Sequence, residues 1–178
     1  MATLFFKWLY PESSVIAFEP DPATFELLQQ NIEGNRLSDV TAHNVALWDE
    51  NGRIPFFIHA KESGSLLMSA EPSRMQGKKI EVEARRLSDF VSGPVDLLKL
   101  DVEGAESRVI CDLLTSGNMP FIRQMIVEYH HHIRVGDANL GSFLSTLETN
   151  GWNYQVHSSV SSPLARDVFQ DVLIYGYR

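Results

Sequence analysis

Two carboxylates close an apolar run in Leu97-Leu98-Lys99-Leu100-Asp101-Val102-Glu103-Gly104-Ala105-Glu106. Side chains two apart on a strand share a face, so Asp101 and Glu103 are expected to project together from the strand's carboxyl end. In open α/β sheets that edge is where ligands bind. Such a pair can help take a proton from a hydroxyl, or hold a hard cation such as Mg²⁺, which wants oxygen ligands in an octahedron. A plainer reading makes them helix caps, because Gly104-Ala105-Glu106 opens a helical segment whose positive dipole end favours carboxylates. Glu106 reads as a stabiliser of that first turn.

Glu128 and His130 stand two apart at the end of another strand-like run, Phe121 to Tyr129. An imidazole titrates near neutrality and can act as general base on a hydroxyl. Glu128 can orient it, or join Asp101 as a metal ligand. A strand end running into a polar loop accounts for the same residues, and more readily for His131 and His132. Glu19 closes the run Val15-Ile16-Ala17-Phe18 ahead of Pro20-Asp21-Pro22. An acid there can accept hydrogen bonds from both hydroxyls of a ribose, or simply stand in an exposed turn.

These side chains need elements to hold them. Val15 to Glu19 and Val40 to Val45 read as strands, with a helix from Ala23 to Gly34 between them, capped by Asp21 or Thr24. Asn51-Gly52 signals a hairpin between Ala46-Leu47-Trp48 and Ile54 to Ile58. Ser, Gly, Glu and Met dominate Lys61 to Gly77, which reads as a loop; Ser65, between Gly64 and Leu66, is a weak candidate for contact with a ligand. Ile80 to Arg86 and Val95 to Val102 are further strands, and a helix spans Ala105 to Ser116, closed by Gly117. Another helix runs from Leu140 to Asn150. Trp152 to His157 and Asp171 to Tyr177 form a terminal antiparallel pair joined by a loop with Ser and Pro. Trp48, Trp152 and Phe169 are read as core or rim aromatics. Alternating strands and helices imply parallel strands with right-handed crossovers, an α/β sandwich in one domain over residues 1–178.

The bulk composition narrows the partners. With 178 residues and a net charge of −8, the chain suits one domain and not a general nucleic-acid surface, since phosphate binding rests on Lys and Arg. Cys111 is the only cysteine; it forms no internal disulfide and reads as a buried thiol. No run approaches the roughly 20 apolar residues that span a bilayer, and the apolar opening lacks the marks of a signal peptide. The expected compartment is cytoplasmic.

Four phrases, in order, carry a family likeness: Ala17-Phe18-Glu19-Pro20-Asp21-Pro22, Asn44-Val45-Ala46-Leu47, Arg86-Leu87-Ser88-Asp89-Phe90 and Lys99-Leu100-Asp101-Val102-Glu103-Gly104-Ala105-Glu106. Together they resemble the FkbM-type family of S-adenosylmethionine-dependent methyltransferases. The resemblance implies a Rossmann-like class I three-layer sandwich, a mostly parallel sheet ending in an antiparallel strand pair. It implies that Glu19 meets the cofactor's ribose, that adenine lies along Val45-Ala46-Leu47, and that Asp101 meets the methionine end or the acceptor hydroxyl. With the residue readings, the catalytic candidates are Asp101, Glu103 and His130. The cofactor-binding candidates are Glu19, Pro20, Asp21, Val45, Ala46, Leu47 and Asp101. The cofactor is S-adenosylmethionine, with Mg²⁺ as a further candidate, and the acceptor a hydroxyl on a sugar or other small metabolite.

The family's opening strand and glycine-rich loop have no counterpart here: the first glycine is Gly34, and Thr3 to Pro11 resembles the helix that follows that loop. The chain is therefore expected to lack one central strand and to bind the donor poorly or not at all. Two other readings stand beside this one. A non-catalytic remnant or binding module would explain the missing loop, and a nicotinamide-dependent oxidoreductase would also place an acid on a ribose.

Overall fold

The computed structural model describes residues 2–58, 78–133, 139–158 and 170–178. The 61–77 segment with Ser65, the 159–169 part of the last loop and Phe169 lie outside the described residues. The chain runs α1 (Ala2–Leu9), β1 (Val15–Phe18), α2 (Pro22–Gly34), β2 (Val40–His43), β3 (Ala46–Trp48), β4 (Gly52–Ile58), β5 (Lys78–Arg86), β6 (Val95–Leu100), α3 (Glu106–Thr115), β7 (Ile122–His131), α4 (Leu140–Thr149), β8 (Asn153–His157) and β9 (Gln170–Tyr177). A 3-10 turn at Leu87–Phe90 joins β5 to β6.

Local chemistry sets these bounds. Asp21 caps α2 by accepting the Thr24 N–H at 2.9 Å, and Pro22 supplies the fixed φ favoured in a first helical turn. In α3 the buried positions Glu106, Val109, Ile110 and Leu113 fall on one stripe at helical spacing. Gly117, at φ +77, ends the segment in the left-handed region.

The strands form three hydrogen-bonded ladders instead of the single sheet expected: β1-β2, β3-β5-β4 and β6-β7-β9-β8. The β1-β2 pair is parallel, while the two larger sheets are mixed, with parallel pairs (β3 with β5, β6 with β7) beside antiparallel ones. The terminal strands pair antiparallel as expected, with β9 placed between β7 and β8. The hairpin expected at Asn51-Gly52 does not form, because β5 lies between β3 and β4. Asn51 instead accepts the Arg86 N–H at 2.8 Å and donates to Asp89 Oδ2 at 2.7 Å, tying the crossover to the following turn.

The main core fills the space between the four-stranded sheet and its helices. Leu100 pairs with Val127, Val127 pairs with Ile174, and all three are fully buried beside Leu113 and Leu147. Burying each such side chain contributes roughly 1.5–3 kcal/mol. The opposite sheet face carries Lys99, Glu128 and Leu173 and is far more open. A cluster of Phe18, His43 and Phe90, with ring centroids 4.8–5.5 Å apart, joins the β1-β2 ladder to the Leu87–Phe90 turn. That turn is pinned by Asp112, which accepts the Ser88 N–H and hydroxyl at 2.8 and 2.7 Å. Among the described residues, no helix is long and apolar enough to cross a membrane. Cys111, expected to be buried, is exposed on the outer face of α3.

Candidate functional site

β6 ends at Leu100, two residues earlier than the sequence pattern suggests, and the chain turns sharply through Asp101-Val102-Glu103-Gly104. Glu103 sits at φ +55 and Gly104 at φ +106. Left-handed backbone at a non-glycine residue costs of order 1 kcal/mol, so this turn is held by its surroundings. Strand alternation is thus not what brings Asp101 and Glu103 together. The turn does so, and both carboxylates converge on His130.

His130, at the end of β7, is almost wholly buried, its side chain 1% exposed. Its Nδ1 lies 2.7 Å from Glu106 Oε1, and its Nε2 lies 3.0 Å from Glu103 Oε2. Asp101 Oδ1 and Asp171 Oδ1 stand further off Nε2, at 3.9 and 3.8 Å. A neutral imidazole donates from one nitrogen only, and a carboxylate only accepts. A neutral imidazole therefore donates to one of the two carboxylates and not to both at once. The arrangement is a buried imidazole between two carboxylates, with the more open Asp101 3.9 Å away.

Glu106 is the residue that sequence reasoning undervalued. It does support the first turn, accepting the Gly104 N–H at 2.9 Å, but the same oxygen holds His130. Its position on the apolar stripe of α3 was the available signal, since a buried charge requires a partner. Glu128, expected to orient His130 or join Asp101 at a metal, faces Lys99 Nζ at 4.0 Å and has a carboxylate oxygen within 4.8 Å of a His130 nitrogen. Burial, helped by the charge of Asp101, pushes the Glu128 carboxyl above its ordinary range. Nor is α3 capped by a carboxylate: Ala105 occupies the cap and contributes no side-chain hydrogen bond.

Ligand atoms of Asp101, Glu128 and His130 all lie within 4.8 Å of one another. This set suits Mg²⁺ poorly. It offers two carboxylates and an imidazole nitrogen already facing Glu103, while Mg²⁺ wants an octahedron of oxygens. The Lys99 ammonium, 2.8 Å from Asp101 Oδ2, already supplies a cation at the cluster.

At the end of β1, Glu19 Oε1 accepts the Asp21 N–H at 2.9 Å, and among the described residues no donor is paired with its other oxygen. Burial, less the help of that hydrogen bond and with the charges of Asp21 and Asp101 adding to it, pushes its pKa up to about 7. An acid so placed fits a ribose, whose hydroxyls would supply the missing donors. Asn44 donates to the carbonyls of Glu19 and Pro20 at 2.8 and 3.2 Å and fixes the loop. Pro20 borders a cleft of about 290 Å³ with Pro22, Asn44 and residues of β4 and β5. Asp21 spends its carboxylate on capping α2, and its backbone N–H and C=O are engaged by Glu19 and Phe25, so it shapes the loop rather than offering free groups to a ligand. Val45, Ala46 and Leu47 are each under 9% exposed; Ala46 and Leu47 are core side chains, so a ring could meet chiefly their backbone.

Other sequence candidates fall outside the cluster. His131 lies on the face of β7 opposite His130, its ring 6.4 Å from that of Tyr129. Burial and the neighbouring His132 lower its pKa. Trp152 is core, and Trp48 carries the Arg108 guanidinium 4.6 Å above its ring.

Residues 2–162 match the methyltransferase FkbM domain. The chain is 35% identical over 131 residues to Methyltransferase 1 of Beauveria bassiana, covering 62% of this chain and 53% of that protein. It is 37% identical over 123 residues to the 2-O-methyltransferase NoeI of Sinorhizobium fredii, covering 59% of this chain and 49% of NoeI. It thus spans about half the length of these relatives. The crystal structure of methyltransferase FkbM from Methylobacillus flagellatus superposes with a TM-score of 0.61 over 99% of this chain and 40% of that one, at 15% identity, a likeness of fold. With the FkbM domain matching nine-tenths of its length, this chain belongs to the FkbM methyltransferase family.

Proposed function

We propose that this chain is a single methyltransferase domain that moves a methyl group from S-adenosylmethionine to an acceptor hydroxyl. The observation that carries the reading is the placement of Glu19, half-paired and poised near neutrality, within electrostatic reach of Asp101. Bound there, S-adenosylmethionine supplies an electrophilic methyl on a sulfonium, open to in-line displacement. In this reading Glu19 accepts the ribose hydroxyls, and the backbone of Val45 to Leu47 lies along the adenine.

Asp101 is the carboxylate that meets the acceptor, because it is more open than Glu103 and Glu106 and stands within electrostatic reach of Glu19. Its hydrogen bond to Lys99 fixes its direction. Asp101 orients the acceptor hydroxyl and takes its proton, with His130 behind it and Glu103 and Glu106 holding the imidazole. Positioning of the two reactants does most of the work in such a displacement. The relative NoeI is by name a 2-O-methyltransferase, which favours oxygen as the acceptor atom. We read the β1-β2 and β6-β7-β9-β8 ladders as parts of one doubly wound class I sheet. β1 and β6 each keep one edge that no described strand pairs, which a further parallel strand could use.

The test is label transfer from methyl-tritiated S-adenosylmethionine to a mixture of neutral monosaccharides and simple alcohols. The expected product is an alkali-stable ether, with Asp101→Asn about 10²–10⁴-fold slower. Label in an alkali-labile ester, or full activity in Asp101→Asn, would overturn the assignment.

A further inference from the structure

Beside the Asp101–His130 cluster lies a cleft of about 250 Å³ lined by Glu128, His157, Ser158, Asp171 and Leu173. Register explains its composition. Glu128 on β7 pairs with Leu173 on β9, and Leu173 pairs with His157 on β8. Directly paired residues share a face, so these three make one row across adjacent strands. His130 pairs with Asp171 in the next row of that face, where Asp171 Oδ1 stands 3.8 Å from His130 Nε2. Two of its lining residues, Glu128 and Asp171, thus stand beside the cluster.

Its lining selects a ligand chemistry. Glu128 and Asp171 are acceptors, and among the described residues neither Lys nor Arg lines the cleft, although Lys99 Nζ stands 4.0 Å from Glu128. A phosphate or carboxylate would meet like charge there, whereas hydroxyl or ammonium donors would meet partners. Leu173, 42% exposed, offers an apolar patch to C–H groups. Ser158 is fixed by the Gln170 amide, which donates to its Oγ at 2.6 Å. The volume lies just under the usual ligand-pocket range of roughly 300–1,000 Å³, room for about one ring.

We infer that this cleft seats the methyl acceptor, a neutral or amine-bearing sugar ring or polyol of that size that presents one hydroxyl to Asp101. That the ligand is the acceptor rests on the methyl-transfer reading; that the cleft binds such a ring does not. Glu128, burdened by burial, gains a donor when the ring enters.

Saturation-transfer NMR on the 178-residue chain, with methyl glucoside, glucosamine and glucuronate at about 10 mM and no methyl donor, tests this. The expected result is transfer to the first two, at least about tenfold weaker transfer to glucuronate, and shifts of the His157 ring protons. Leu173→Ala and His157→Ala alter exposed residues and should each weaken the signal about tenfold with amide dispersion unchanged. Equal binding of glucuronate, no binding of any sugar, or binding indifferent to both variants would overturn the inference. Sugar binding by a chain that takes no S-adenosylhomocysteine would sink the methyl-transfer reading and leave the cleft standing; the opposite result would do the reverse.

Discussion

Glu19 is an acid held where folding disfavours its charge: burial carries it from an ordinary 4.5 to about 7. A carboxyl raised in this way stabilises the fold fully below its unfolded value and loses that contribution as pH rises through about 7. Glu19→Gln removes the penalty of the buried charge. The variant should gain about 1–2 kcal/mol at pH 8, after allowance for partial exposure, and nothing at pH 4. Thermal unfolding at the two pH values reads the difference, and an equal gain at both would contradict the account. At this scale Asp101, Glu103 and His130 stand out as candidates by residue type and strand-end position, and the structure brings the three together. Glu106 does not, because an acid in a first helical turn usually serves the dipole, and only the α3 stripe hinted at burial.

The turn after β6 is the element that builds the site. It turns the chain through Glu103 and Gly104 in left-handed backbone, starts α3, and sets Glu106 beneath His130 while Glu103 covers it. The strand pattern placed Asp101 and Glu103 together by alternation, whereas the turn is what brings them together. Asn51-Gly52 misled in a related way: the dipeptide favours a tight hairpin, yet the Asn51 side chain serves Arg86 and Asp89, and β5 takes the position between the two strands. Local turn chemistry does not report which strand becomes the neighbour. On β9, Gly176 is needed for close approach. A Cβ there would lie 2.8 Å from Met125 Cγ and 3.3 Å from Trp152 Cε3, both within the core. Gly176→Ala should therefore destabilise by about 1–3 kcal/mol in urea unfolding; a neutral result would mean the core yields more readily than its packing implies.

Across the whole molecule, the order of strands and helices and the terminal antiparallel pair followed from apolar periodicity and loop length. Division into three ladders did not, because pairing between β1 and β6 is a long-range property that periodicity leaves unspecified. What unites the ladders is side-chain packing: the Phe18–His43–Phe90 cluster, and Arg108 bound to Asp49 at 2.8 Å. These contacts set the end of β1 near the end of β6, and so place Glu19 within reach of Asp101. The central claim is that a methyl donor lies across those two ends. Its most direct test is an amide NMR titration of the 178-residue chain with S-adenosylhomocysteine, at pH 6 and pH 8. We expect weak binding, with Kd on the order of 0.1–1 mM at pH 8. Shifts should be confined to Phe18–Asp21, Val45–Leu47 and Leu100–Gly104, binding should weaken at pH 6 as Glu19 takes up a proton, and Glu19→Ala should abolish it. Shifts centred elsewhere, none up to about 10 mM, or binding that ignores Glu19 would contradict the account.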